Sequence, residues 1–163
     1  MSSFIEKLLI FISVTDYETV IGYNDVKTSS GGVSFYVQRN TGYNSTRTVI
    51  PYQVTRLNIG GAMNAATGIF TAPVDGRFYF SFTALSWTSG VANYVYLRVN
   101  GVNIGLSWAP TNNYNMPMSA TLQLKRGDRV DAWLHDGSIH DSGPYQFTHF
   151  TGFLLEEDLG LLR

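Results

Sequence analysis

Repeated stretches of this chain alternate apolar and polar side chains with a period of two, and that alternation constrains the fold more than any other feature. Val33, Phe35 and Val37 alternate with Ser34, Tyr36 and Gln38, and Phe78, Phe80 and Phe82 with Tyr79, Ser81 and Thr83. The pattern returns in Val95/Leu97/Val99 against Tyr94/Tyr96/Arg98, in Ala120/Leu122/Leu124 against Thr121/Gln123/Lys125, and in Val130/Ala132/Leu134 against Asp131/Trp133/His135. A strand sends successive side chains to opposite faces, so each stretch reads as a half-buried β-strand. Turn signals stand between them: Asn100-Gly101, Arg126-Gly127-Asp128, Pro73–Gly76 and Asn58–Gly61. Asn-Gly supplies the positive φ angles of a tight hairpin. No stretch after residue 32 sustains a helical period. Many short antiparallel strands joined by Gly, Asn and Pro turns predict an all-β sandwich or jelly roll.

The polar run Thr28-Ser29-Ser30-Gly31-Gly32 marks a boundary. Residues 1–32 are expected to be an N-terminal arm or signal segment with its linker, 33–158 one domain, and 159–163 a tail. A chain of 163 residues with 44% apolar and 14% charged side chains carries enough apolar surface for one core. The run Leu8–Val14 has two readings: the short apolar part of a secretion signal, or an arm that packs on this domain or a neighbouring chain. No run of about 18 apolar residues is present, so no helical membrane span is expected. A net charge of −1 without a basic block removes the electrostatic basis of nucleic-acid binding. The absence of cysteine rules out thiol catalysis, cysteine-ligated zinc and disulfides.

The faces opposite the apolar ones are unusual. Tyr36, Tyr79, Tyr94, Tyr96 and Trp133 place rings where a monomer would show polar groups. They point to burial against another subunit, or under a second sheet.

The stretch Thr67–Phe82, TGIFTAPVDGRFYFSF, resembles the signature of the globular head of complement C1q. Leu97-Arg-Val-Asn-Gly101, Leu122-Gln-Leu-Lys-Arg-Gly-Asp-Arg-Val130 and Phe150-Thr-Gly-Phe-Leu-Leu155 follow in the family's order and spacing, and Asn58 and Gly60 precede them in its Asn-x-Gly pattern. The resemblance runs from about Val33 to Asp158. It implies a ten-stranded jelly roll shared with tumour-necrosis-factor ligands, assembled as a homotrimer, with the outward rings as subunit interface. It also implies a non-catalytic, secreted recognition head whose ligands meet loops at the end away from the N-terminal stalk. Three departures stand out. Met63 replaces a usual aromatic, no Gly-X-Y repeat precedes the head, and Ala92–Gly101 lacks the carboxylates with which some relatives bind calcium. No metal and no cofactor are therefore expected.

Histidines and carboxylates crowd together in one place, His135–Gly143, HDGSIHDSG. In the family frame this is the long loop before the last strand, the kind of exposed loop that carries specificity. The histidines lack the spacing of a zinc site, and no G-x-S-x-G or H-E-x-x-H motif occurs, so no enzyme is expected. Candidate ligand contacts are Asn112, Asn113 and Tyr114 on one loop, with His135, Asp136, His140, Asp141 and Tyr145 on the other. Amides and carboxylates suit sugar hydroxyls, and rings suit the apolar sugar face. Asn44-Ser45-Thr46 is a glycosylation candidate. Two functions follow: a trimer that binds glycans or microbial surface patterns, or a trimeric ligand for a cell-surface receptor or structural head of an extracellular or viral assembly.

Overall fold

Phe78 and Phe80 are fully buried and Phe82 nearly so, while Tyr79, Ser81 and Thr83 between them are half-buried. The sequence alternation is thus an alternation of inside and outside. The computed structural model describes residues 32–159, and all regular structure in that range is β. The Leu8–Val14 segment and the last tail residues lie outside the described residues.

One sheet runs β10 (Met118–Leu124), β6 (Gly76–Thr83), β13 (His149–Glu157), β1 (Ser34–Gln38) and β3 (Val54–Ile59). The other runs β4 (Met63–Asn64), β5 (Ile69–Thr71), β11 (Arg129–Asp136), β8 (Asn93–Val99) and β9 (Val102–Ala109). These two paths make the ten-stranded antiparallel jelly roll that the resemblance implied. Three two-residue pieces are added to it: β2 (Thr48–Val49) lies against β11, and β7 (Leu85–Ser86) pairs with β12 (Ile139–His140).

The core between the sheets is a packed set of rings. Phe35 meets Phe70 at 5.4 Å and Phe150 at 5.1 Å, and Phe70 meets Phe80 edge-on at 5.2 Å. Gly152 on β13 is required by this packing. A Cβ there would fall 2.6 Å from Phe80 Cδ1 and 2.7 Å from Phe35 Cε1, so the rings occupy the space a side chain would fill. Phe153, next along β13, points the other way: it is 40% exposed and tilts against Tyr79.

The expected turns are in place. Asn100 (φ 52°) and Gly101 (φ 81°) close the β8–β9 hairpin in the left-handed region. At the β10–β11 turn, Lys125 N–H donates to Asp128 Oδ2 (2.8 Å) and Asn100 Nδ2 donates to Asp128 Oδ1 (2.8 Å). Those two bonds hold the Asp128 carboxyl below its usual pKa, the Asn100 side chain contributing most.

The register places one set of connections together. β1 ends, β6 ends, β10 begins and β13 begins at neighbouring positions, through Gln38↔His149, His149↔Thr83 and Met118↔Phe82. The connections 84–92, 110–117 and 137–148 therefore share the end of the sandwich opposite Ser34, where the described chain enters β1.

Candidate ligand-binding site

Ser86 organises that far end. It is fully buried, its hydroxyl donates to Thr111 O (2.6 Å) and accepts from Tyr114 N–H (2.9 Å), and its carbonyl accepts from Asn113 N–H (2.8 Å). The loop of Asn112, Asn113 and Tyr114 is thereby tied to β7. Trp87 N–H donates to Ser138 O (2.9 Å), which ties β7 to the 137–148 connection. Asn93, also fully buried, accepts from Ser138 N–H through Oδ1 (2.7 Å).

Four rings line up on this frame. Trp87 stacks on His140 with centroids 4.1 Å apart, His140 lies 5.5 Å from Phe147, and Phe147 stacks on Tyr145 at 5.6 Å. Trp87 and Tyr145, at the two ends, are 52% and 68% exposed. Such a strip offers ring faces to the apolar side of a ligand, and the exposed Asn113 and Tyr114 are held by their backbone N–H groups to Ser86, the residue before Trp87. Of the predicted residues, His140, Tyr145, Asn112, Asn113 and Tyr114 come together here. Trp87 and Phe147 were missed. Trp87 falls in Ser86-Trp87-Thr88, a run with neither charge nor alternation to single it out.

Asp141 has another task. It is 6% exposed, and its two oxygens accept from Phe147 N–H (2.8 Å) and Thr148 N–H (2.9 Å). It braces the connection rather than facing a ligand. Arg39, the residue after β1, braces the same end. Its buried guanidinium donates to the carbonyls of Thr41, Gly42 and Pro51, and burial lowers its pKa. Asn44 lies in the β1–β2 connection and is exposed.

His135 and Asp136 do not join this group, because HDGSIHDSG is not one loop. Its first two residues end β11, and Ile139–His140 form β12. His135 stands on the outer face of the second sheet, edge-on to Tyr94, Tyr96 and Trp133, and bonds Asp136 Oδ2 through Nδ1 (2.5 Å). His149 stands on the first sheet, stacked on Tyr36. The three histidines occupy three separate places, and among the described residues no three metal-ligating side chains gather.

The five rings expected as subunit interface divide between the two outer faces. Tyr36 and Tyr79 share the outer face of the first sheet with Phe153, through Tyr36↔Thr151 and Tyr79↔Phe153. Tyr94, Tyr96 and Trp133 lie on the outer face of the second sheet, through Tyr96↔Trp133. These faces are back to back, separated by the core.

A five-stranded and a six-stranded antiparallel sheet around a phenylalanine core, with three connections gathered at one end, define a jelly-roll domain. The chain belongs to the C1q domain family, whose model matches residues 34–155. It is 30% identical over 129 residues to complement C1q tumor necrosis factor-related protein 3 of Mus musculus and of Homo sapiens, an overlap covering 77% of this chain and 52% of each relative. The chain thus spans about half the length of the curated relatives it matches. Among solved structures it is similar to the globular domain of zebrafish complement 1qA protein, with a TM-score of 0.62, 20% identity, and coverage of 77% of this chain and 99% of that one. It is also similar to the Eiger TNF of S. frugiperda, with a TM-score of 0.64, 11% identity, and coverage of 81% and 98%. Among the described residues no helix is long and apolar enough to cross a membrane.

Proposed function

We propose that this chain is the head of a secreted, non-enzymatic homotrimer that binds glycans of microbial surfaces through its far-end loops. The observation that carries this reading is the strip Trp87–His140–Phe147–Tyr145, with exposed ring faces at both ends and Asn113 and Tyr114 alongside. Sugars present an apolar C–H face and a rim of hydroxyls, and the strip matches both. Each contact is weak, and three copies on one rigid trimer raise the avidity by orders of magnitude. Secretion rests on the likeness to secreted family members, and in that setting the exposed Asn44 is open to glycan addition.

The trimer seam we assign to the outer face of the first sheet, around Tyr36, Tyr79 and Phe153. One face per protomer turns toward a threefold axis, and the face behind it turns away.

The test is a glycan array probed with the full chain and with a variant carrying Trp87→Ala, Asn113→Ala and Tyr145→Ala. Binding that falls at least about tenfold in the variant supports the reading; equal binding by both overturns it. The names of the curated relatives and the fold likeness to a TNF favour a second reading, a trimeric ligand for a cell-surface receptor. Saturable binding to a protein on host cells, unaffected by competing saccharide, would establish that one instead.

A further inference from the structure

We propose that the outer face of the second sheet carries a separate saccharide site in each protomer, built on His135 and Asp136. A β-bulge creates it. Leu134 pairs with Val95, and after the shift Asp136 pairs with Tyr94, so one extra residue is inserted in β11. Plain alternation would turn Asp136 toward the core once His135 points outward. The bulge leaves both at the surface, with side chains 37% and 45% exposed.

The pair is chemically defined. A carboxylate only accepts, so the 2.5 Å bond places a proton on His135 Nδ1 and leaves Nε2 as the free nitrogen. Rings stand around it: Trp133 at 5.3 Å, Tyr96 at 5.8 Å and Tyr94 at 6.3 Å, all edge-on to the imidazole. Trp108, opposite Tyr94 on β9 and 52% exposed, extends the floor.

The charges choose among occupants. A cationic ligand finds Trp133 already taken, since the Arg98 guanidinium lies 4.9 Å over its ring and is paired with Asp131 (2.7 Å). An anionic ligand meets the Asp136 carboxylate. A second protein surface would have to strip water from a carboxylate that is still 45% exposed and has His135 as its side-chain partner. A neutral saccharide suits the set: its C–H face lies on the ring surface that Arg98 leaves open, that of Trp108 above all, and its hydroxyls donate to Asp136 and to His135 Nε2. The site lies on the strands of the second sheet rather than on the far-end connections, and it requires that the trimer leave the second sheet uncovered.

The chain's three tryptophans divide between the two sites, Trp87 at the far end and Trp108 and Trp133 here. The indole N–H resonances of the ¹⁵N-labelled full chain therefore report each site separately during titration with the methyl glycosides of galactose, N-acetylglucosamine and mannose. At least one glycoside is expected to shift Trp133 saturably at millimolar concentration. Asp136→Asn and His135→Ala should each weaken that binding by about tenfold or more, the loss expected when a hydrogen bond to a charged or polar acceptor is removed. Both variants should keep the parent's mass and its Trp87 response. The proposal is overturned if no glycoside moves Trp133, if Asp136→Asn leaves the affinity unchanged, or if either variant alters the oligomeric mass. A shift of Trp87 alone would uphold the far-end reading and sink this one.

Discussion

Both outer faces of the sandwich carry rings, Tyr36, Tyr79 and Phe153 on the first and Tyr94, Tyr96, Trp108 and Trp133 on the second, and they differ in where their charges sit. Across the first sheet, the register lines up Ile59–Ser34–Phe153–Tyr79–Thr121 and, one step along, Leu57–Tyr36–Thr151–Ser81–Ser119. Neither row contains a charge. Across the second sheet, the row Leu106–Tyr96–Trp133–Val49 is flanked by Arg98 with Asp131 on one side and by His135 with Asp136 on the other. The rows at the centre of the first face carry no charge, and its ion pair Arg77–Glu156 stands at one edge; on the second face paired charges flank the central row on both sides, so another protein surface would have to desolvate them. Under the two proposals, the first face is assigned to subunit contact and the second to ligand.

The largest expected effect breaks that comparison directly. Tyr79→Asp sets a charge in the centre of the first face and is expected to reduce the mass seen by light scattering from three times the 18.1 kDa chain to a single chain. Trp133→Ala, on the second face, should leave the trimer mass unchanged. The reverse pattern would move the seam to the second sheet and remove the saccharide site with it.

The ion pairs of the two faces sharpen the contrast. Arg98–Asp131 is largely buried, with side chains 17% and 7% exposed, whereas those of Arg77–Glu156 are 54% and 64% exposed. Arg98→Ala leaves Asp131 buried and unpaired and should cost about 3 kcal/mol in denaturant unfolding. Arg77→Ala should cost less than about 1 kcal/mol, because water screens the pair and solvates Glu156 once it is alone. Equal costs would mean that the second face is wetter than its burial indicates.

The fold was legible in the sequence because its determinants are local: period-two alternation in Phe78–Phe82 and Val95–Val99, Asn100-Gly101 for a hairpin, and Gly127-Asp128 for a turn. The division of the outward rings was not. Tyr79 and Tyr96 have the same sequence surroundings, an aromatic or aliphatic residue on either side, and only strand order assigns them to different sheets. The candidate site was half legible. His140 and Tyr145 stood out by type, but Trp87 reaches them through β7–β12 pairing across more than fifty residues. His135 and Asp136 looked like loop residues because a bulge breaks the alternation just where a strand would otherwise have continued. Asp141 looked available because its task, accepting two backbone N–H groups, leaves no mark on composition.

The smallest effect concerns the turn that carries the chain from the first sheet to the second. Asp128 accepts from the Asn100 side chain and from Lys125 N–H, and its folded pKa lies below the usual carboxylate value. A depressed folded pKa means that the ionised form is favoured by folding. Its contribution is fully present above the unfolded carboxylate range and is lost as pH falls through the folded value. Asp128→Asn should therefore lower the melting temperature slightly at neutral pH, and the gap from the parent should close as the solution is acidified below the ordinary carboxylate range. Asp128 is a partly exposed turn residue, so water weakens the effect. If the gap persisted unchanged in acid, the turn would owe its stability to the shape of the side chain rather than to its charge, and the junction between the two faces would be indifferent to pH.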